Sequence, residues 1–149
     1  MPKRGPAVLR GRGLRSLGAI EVSAPFLGTD RPLRLLGHVE SSTGTIREEG
    51  HPLDGQSFAG RVFAFPRGIG STVAPYVLVE ARLHGALPAA ILLGSSRDHG
   101  TIAAASLLCI PLVYGLPERP WEVFTEGERV TVTLSDGAGE VRGSLTRGR

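Results

Sequence analysis

The chain has 149 residues, a net charge of +3 and 41% hydrophobic residues, which fits one globular domain with a buried core. Its single cysteine excludes a disulfide framework, and it excludes an iron–sulfur cluster held by this chain alone. The longest apolar runs fall well short of the ~20 residues that cross a bilayer, and aromatic residues are not interleaved with the basic clusters. We therefore expect a cytoplasmic protein that binds neither membranes nor nucleic acid.

The first third of the chain carries weak strand signals between turn-forming residues. Residues 1–13 are rich in Gly, Pro and Arg, which predicts a flexible basic segment ahead of a domain over residues 14–146, although Ala7–Leu9 could start a strand. Residues 18–23 alternate weakly between apolar and polar and predict a strand. Proline, glycine and aspartate predict a loop over residues 24–30, whereas the apolar residues 33–39 leave helix and strand equally open.

His51 precedes a proline in a polar stretch that ends at the Asp54-Gly55 turn. A histidine in such a position could bind a metal ion or act as a base. No second ligand lies at metal-binding spacing from it in the sequence, so we predict a surface or interface histidine.

The centre of the chain reads R-V-F-A-F-P-R-G-I-G-S-T-V from residue 61 onward. Residues 62–65 are apolar β-formers closed by a proline, and they predict a buried strand. Arg67, Gly68 and Gly70 then predict a tight turn, because glycine lets the backbone adopt positive φ and approach a ligand closely.

This turn leads into a predicted helix over residues 73–84 that ends at Gly85. Ser71 or Thr72 occupies the N-cap position. The unpaired N–H groups and partial positive charge of a helix N-terminus favour an anion, and Arg67 adds a full charge. Two interpretations of Ser71 stay open: a helix cap alone, or a hydroxyl that also carries a proton at an anion site.

A second strand, loop and helix follow. Residues 87–93 predict a buried strand and residues 101–107 a short Ala-rich helix. The loop between them, G-S-S-R-D-H over residues 94–99, is a rival site because it brings serine, arginine, aspartate and histidine together. Capping of the helix by Ser96 or Asp98 is the simpler interpretation, since the members of a catalytic triad normally come from separate elements.

The last third of the chain is predicted to form strands. Residues 108–113 predict a third buried strand, with Cys109 as a buried, inert core residue. Residues 129–134 alternate as R-V-T-V-T-L, and an Asp-Gly turn joins them to residues 140–145 in a hairpin. Two strand–helix units flanked by strands indicate a single compact α/β domain with β/β/α layering, since a doubly wound sheet would need more βα repeats.

The order of these motifs resembles the small subunit, or swivel domain, of the aconitase X family. The matching segments are G-H-V-E-S-S-T-G-T-I at 37–46, H-P-L-D-G-Q-S at 51–57, the stretch at 60–73, G-A-L-P-A-A-I-L at 85–92 and I-P-L-V at 110–113. The P-R-G-x-G-S-T piece is the most specific of them. One departure concerns the substrate: the family tends to carry S-F-x-G-G-V-D where this chain has R-L-L-G-H-V-E at 34–40.

The resemblance implies a swivelling β/β/α domain that closes over an active site built mainly by a larger catalytic subunit, which carries an iron–sulfur cluster. It implies a hydro-lyase, active only as the two-chain enzyme, that dehydrates (R)-5-phosphomevalonate to trans-anhydromevalonate 5-phosphate in the archaeal mevalonate pathway of isoprenoid synthesis. By the same resemblance Ser71 is the proton acceptor. The resemblance also implies that the anionic group of the substrate is contacted, or the turn is shaped, by Arg67, Gly68, Gly70 and Thr72.

Two alternatives stay open beside this interpretation. One is a related aconitase X dehydratase acting, for example, on cis-3-hydroxy-L-proline, whose anion is a carboxylate. The other is a non-catalytic swivel module that binds an anion or docks a partner. The loop at 94–99 also resembles the G-S-S-R-E-H of true aconitases, but it follows a different strand, so we interpret that likeness as coincidence.

Overall fold

Strands dominate the described part of the chain, with short helices inserted among them. The structure, a computed structural model, describes residues 5–14, 17–69 and 76–146. In chain order the elements are β1 (Pro6–Gly13), β2 (Ile20–Gly28), β3 (Val39–Glu40), β4 (Thr45–Ile46), β5 (Val62–Phe65), α1 (Tyr76–Leu83), β6 (Ala90–Leu93), α2 (His99–Leu107), β7 (Leu112–Tyr114), α3 (Pro120–Val123), β8 (Arg129–Ser135) and β9 (Ala138–Thr146).

The longer strands close into a barrel in the order β1-β7-β6-β5-β2-β8-β9, because β9 pairs back onto β1. Parallel pairing joins β2, β5, β6 and β7, whereas every pairing of β1, β8 and β9 is antiparallel. The short strands β3 and β4 form a separate antiparallel pair. The predicted α/β domain, with its mixture of strand–helix units and hairpin, is confirmed, and closure of its sheet into a barrel is an additional feature.

The central parallel strands are the most buried part of the barrel. All four residues of β5, V-F-A-F, and of β6, A-I-L-L, are buried, as expected for parallel strands covered on both faces. The Phe63 ring centroid lies 5.3 Å from that of Phe58 and 5.1 Å from that of Phe65. This tightly packed core therefore lies directly below the carboxyl ends of β5 and β6, where the candidate turn begins.

The start of the chain differs from the prediction. Pro6–Gly13 is a strand paired with β9 and β7, and Leu9 is 4% exposed, so the expectation of a flexible segment is wrong over these residues. A Cβ at Gly11 would lie only 2.6 Å from the carbonyl oxygen of Tyr114, so this glycine permits the close approach of β1 and β7. Residues 1–4 lie outside the described residues.

The second strand is longer than predicted. Most of the loop expected at residues 24–30 belongs to β2, which hydrogen-bonds β8 on one side and β5 on the other. Phe26 and Leu27 are 2% and 0% exposed. Burial of these two side chains outweighs the local turn signals of the neighbouring proline and glycine.

The segment after α2 does not form the predicted continuous strand. The Ile110 N–H donates to the Ala105 carbonyl at 2.8 Å and the Cys109 N–H to the Ser106 carbonyl at 3.3 Å, a bonding pattern that closes a helix. Cys109 has φ +57° and is exposed, so its assignment to the core is wrong. The first residues of this apolar run therefore end α2, and only its last residues belong to β7, which begins at Leu112.

The remaining predicted elements are found where the structure describes the chain. The helix expected at 73–84 is α1, Tyr76–Leu83, and it is followed by Gly85 at φ +70°, whereas residues 73–75 lie outside the described ranges. The Asp-Gly hairpin joins β8 to β9 as predicted. None of the helices described has the length and apolar character needed to cross a membrane.

Candidate active site

The turn that follows β5 is held on one side by the segment around Leu33. The Leu33 N–H donates to the Arg67 carbonyl at 2.9 Å, and the Ile69 N–H donates to the Leu33 carbonyl at 2.9 Å. Together they make a short parallel bridge between Leu33 and Gly68. Leu33 itself is 1% exposed, so its side chain anchors this bridge in the core.

The other side of the turn is held by Asp98. Its Oδ2 accepts a hydrogen bond from the Gly68 N–H at 2.7 Å and another from the Thr101 hydroxyl at 2.7 Å. Its Oδ1 accepts from the Thr101 N–H at 3.2 Å, which makes Asp98 the N-cap of α2. One carboxylate thus caps a helix, as predicted for Ser96 or Asp98, and also ties that helix to the candidate turn.

The loops after β5 and β6 lie side by side, because the two strands are parallel neighbours. The Gly94 N–H donates to the Phe65 carbonyl at 3.0 Å and the Ser95 N–H to the Pro66 carbonyl at 2.8 Å. A Cβ at Gly94 would lie 3.2 Å from the Pro66 Cα, so little space separates the two loops. The rival loop at 94–99 is therefore part of the same edge of the barrel as the predicted turn.

Positive charge is accessible at this edge. Arg67 and Arg97 are both exposed, and they lie in the loops that follow β5 and β6. The first turn of α2 adds the partial positive charge of a helix N-terminus, although the Asp98 carboxylate already accepts from Thr101 there. An anionic solute suits this arrangement better than a cation.

The structure describes only part of the predicted site. Arg67 and Gly68 follow β5 as expected, but Gly68 is bridged to Leu33 and does not have the positive φ expected of a tight turn. Gly70, Ser71 and Thr72 lie outside the described residues. A Cβ at Gly68 would lie 3.2 Å from the Thr101 hydroxyl oxygen and 3.4 Å from Asp98 Oδ2. A side chain here would be a tight fit against the Thr101 hydroxyl and would be in ordinary contact with the Asp98 carboxylate.

An apolar groove between α1 and α2 does not suit an anion. It has a volume of about 300 Å³ and is lined mainly by apolar groups that include Tyr76, Val79, Ala103 and Leu107. Since no charged side chain lines it, we place the candidate site at the turn and not in this groove.

The sequence context of His51 predicts a surface or interface histidine, but the side chain is buried in this chain. It is 6% exposed, and its Nδ1 accepts the Leu53 N–H at 3.0 Å, so the ring stabilises its own loop. The structure describes no partner for its Nε2. Within the described ranges, no group of three or more His, Cys, Asp or Glu side chains could hold a metal ion.

The contact between Asp98 and Gly68 is the feature that sequence reasoning missed. Asp98 was recognised as a helix cap, but its second bond crosses to a residue thirty positions away. The signal that could have found it is the pairing of β5 with β6, since loops after neighbouring parallel strands meet at one edge of a sheet.

Comparison with known proteins is consistent with this architecture. The chain is 37% identical over 132 residues to the phosphomevalonate dehydratase small subunit of Methanosarcina acetivorans, covering 89% of each chain. It is 33% identical over 130 residues to the protein of the same name from Thermococcus gammatolerans, covering 87% of this chain and 95% of the relative.

Among solved structures, aconitase X from Thermococcus kodakaraensis in its holo-form matches with a TM-score of 0.75 and 29% identity. That match covers 91% of this chain and 98% of the other. The family model described as aconitase X swivel domain matches residues 12–141. Because this match spans most of the barrel, the chain belongs to the aconitase X swivel-domain family.

Proposed function

We propose that this chain is the small subunit of a two-chain hydro-lyase that dehydrates (R)-5-phosphomevalonate to trans-anhydromevalonate 5-phosphate. The main support is that relatives named phosphomevalonate dehydratase small subunit match over nearly their full length, at 37% identity over 89% of each chain for the Methanosarcina acetivorans protein. Near-complete coverage favours a shared role over a shared fold alone, and the relatives' designation as small subunits favours a larger partner.

In this proposal Ser71, as the alkoxide, accepts the proton that leaves the substrate carbon while the bond from carbon to the substrate hydroxyl breaks. Release of that proton from Ser71 restores the alkoxide and balances the conversion of the departing hydroxide to water. A serine hydroxyl is a weak base, so its ionised form needs a positive electrostatic field. Arg67 and Arg97 are accessible sources of that field at the same edge of the barrel. The turn that leads to Ser71 is also held at Gly68, which favours a fixed direction of approach.

The phosphate of the substrate would be bound near the same turn. Arg67 is exposed, and its guanidinium can donate two parallel hydrogen bonds to a phosphate. We assign Gly70 and Thr72 to phosphate contact or to shaping the turn. Gly68 differs from them, because its N–H already donates to Asp98 and it therefore shapes the turn without binding phosphate.

An iron–sulfur cluster does not fit the residues of this chain. The chain has one cysteine, which is exposed at the end of α2, and several thiolates are needed to hold such a cluster. We therefore assign the cluster to the larger partner subunit.

The experiment is a Ser71→Ala substitution in the co-expressed two-chain enzyme, assayed with (R)-5-phosphomevalonate. Loss of a general base predicts a fall in kcat of about 10²- to 10⁴-fold with little change in KM. The matched control is Ser96→Ala, an exposed serine of the neighbouring loop, which should keep wild-type kinetics. The small chain alone should show no turnover.

Two results would contradict the function in different ways. Turnover of cis-3-hydroxy-L-proline in place of the phosphorylated substrate would show that the reaction class is right and the substrate wrong. Full turnover by Ser71→Ala would show that Ser71 is not the proton acceptor, as would retained exchange of the substrate's carbon-bound hydrogen with D2O in that variant.

A further inference from the structure

We propose that Asp98 is a positioning residue of this hydro-lyase, which fixes Gly68 and so holds the segment after β5 that carries Arg67 and precedes Ser71. This role presupposes the function proposed above. Its basis is the 2.7 Å hydrogen bond from the Gly68 N–H to Asp98 Oδ2. Gly68 is the neighbour of Arg67 and precedes Ser71 by only three residues in the sequence.

Asp98 is suited to hold the turn and not to take part in the chemistry. Both of its oxygens already accept hydrogen bonds, from the Gly68 N–H, the Thr101 hydroxyl and the Thr101 N–H. These three donors, together with the N-terminus of α2, stabilise its negative charge. A carboxylate engaged in this way has little capacity left to act as a base toward substrate.

The turn is rigid only if both of its anchors are present. Leu33 bonds the carbonyl of Arg67 and the N–H of Ile69, but it leaves the N–H of Gly68 unpaired. Asp98 supplies the acceptor for that remaining group and connects it to the first turn of α2. The geometry therefore couples the turn to α2 as one unit.

Asp98 caps α2 and also accepts a hydrogen bond from the Gly68 N–H, and substitution can separate these two roles. Serine is an equally good N-cap, so Asp98→Ser should keep the bond to the Thr101 N–H. Its side chain is one bond shorter, and it should no longer reach the Gly68 N–H. Asp98→Ala should lose both contacts, whereas Asp98→Asn keeps the length of the side chain.

Two measurements test the proposal. The first is hydrogen exchange of the Gly68 amide in the full small chain, where Asp98→Ser should accelerate exchange about 10- to 100-fold while the amides of α2 stay protected. The second is steady-state kinetics of the two-chain enzyme with (R)-5-phosphomevalonate. There we expect kcat to fall about 10-fold or more, with KM within about 3-fold of the wild type.

Protection of the Gly68 amide and kcat should fall together across Asp98→Asn, Asp98→Ser and Asp98→Ala, while Ser96→Ala changes neither. Unchanged exchange in Asp98→Ser would overturn the proposed bridge. Faster exchange with unchanged kcat would overturn its role in positioning. Should Asp98→Ser not assemble with the large subunit, the same two readouts in Asp98→Asn decide the question.

Failure of the proposed function gives a different pattern. In that case Ser71→Ala retains turnover, or the wild-type complex does not dehydrate the substrate, whereas the exchange measurement still reports on the bond between Asp98 and Gly68.

Discussion

Replacing Cys109 by glycine should stabilise the protein. Cys109 adopts φ +57° at the position after the α2 cap where helices most often place glycine, and the Ile110 and Cys109 N–H groups close the helix from there. A residue with a Cβ in this conformation costs about 1–2 kcal/mol. Glycine removes this strain, but its more flexible unfolded state offsets about 0.5–1 kcal/mol of the gain. The free energy of unfolding should therefore rise by about 0.5–1 kcal/mol.

The assay is urea unfolding and thermal unfolding of the full chain under reducing conditions, each monitored by circular dichroism. Cys109→Gly should raise the melting temperature by roughly 2 °C. Cys109→Ala is the matched control, because the exposed thiol is removed while the backbone strain remains, and its stability should stay within a few tenths of a kcal/mol of wild type. Cys109→Val should be less stable than either. A glycine variant no more stable than the alanine variant would refute the reasoning.

Two further predictions concern carboxylates away from the candidate site. Glu128 is 5% exposed and accepts hydrogen bonds from backbone N–H groups that include Ser144 at 3.0 Å. Glu128→Gln places an amide donor against these donors and should lower the free energy of unfolding in urea by about 2 kcal/mol. Equal stability of the variant and the wild type would contradict this account. The hydrogen bond from Thr43, followed by Arg47, lowers the pKa of Glu40 from its usual value. Thr43→Val should therefore raise the pKa of Glu40 in an NMR titration. Because the folded-state pKa is the lowered one, any stabilisation from this group is present above the unfolded-state pKa and fades as the pH falls.

Elements whose local pattern agrees with their burial were predictable. The V-F-A-F run became β5 and the R-V-T-V-T-L alternation became β8. A possible strand start was seen at Ala7–Leu9, but the full strand Pro6–Gly13 was not predicted. Its Arg- and Gly-rich sequence has no clear alternation, and its partners in β9 are distant in sequence. Residues 24–28 were predicted as a loop because proline and glycine are turn-forming, although Phe26 and Leu27 between them belong to the core.

The candidate site was predictable in its local chemistry and not in its tertiary contacts. The buried strand was predicted correctly, and so was the place of Arg67 and Gly68 just after it, but the positive φ expected in the turn is not found at Gly68. The bond from Gly68 to Asp98 depends on which strands are neighbours, and no local pattern encodes that. The roles of Ser71, Gly70 and Thr72 stay predictions that the kinetic experiments address.

Closure of the barrel by its first and last strands has a consequence for how the chain folds. Since Leu9 of β1 pairs with Val141 of β9, the ring of hydrogen bonds cannot be completed until the final strand has left the ribosome. Pairings between the two ends of a chain also slow the search for the native topology. A nascent chain truncated before β9 would expose two unpaired strand edges, on β1 and β8, and should be prone to aggregation.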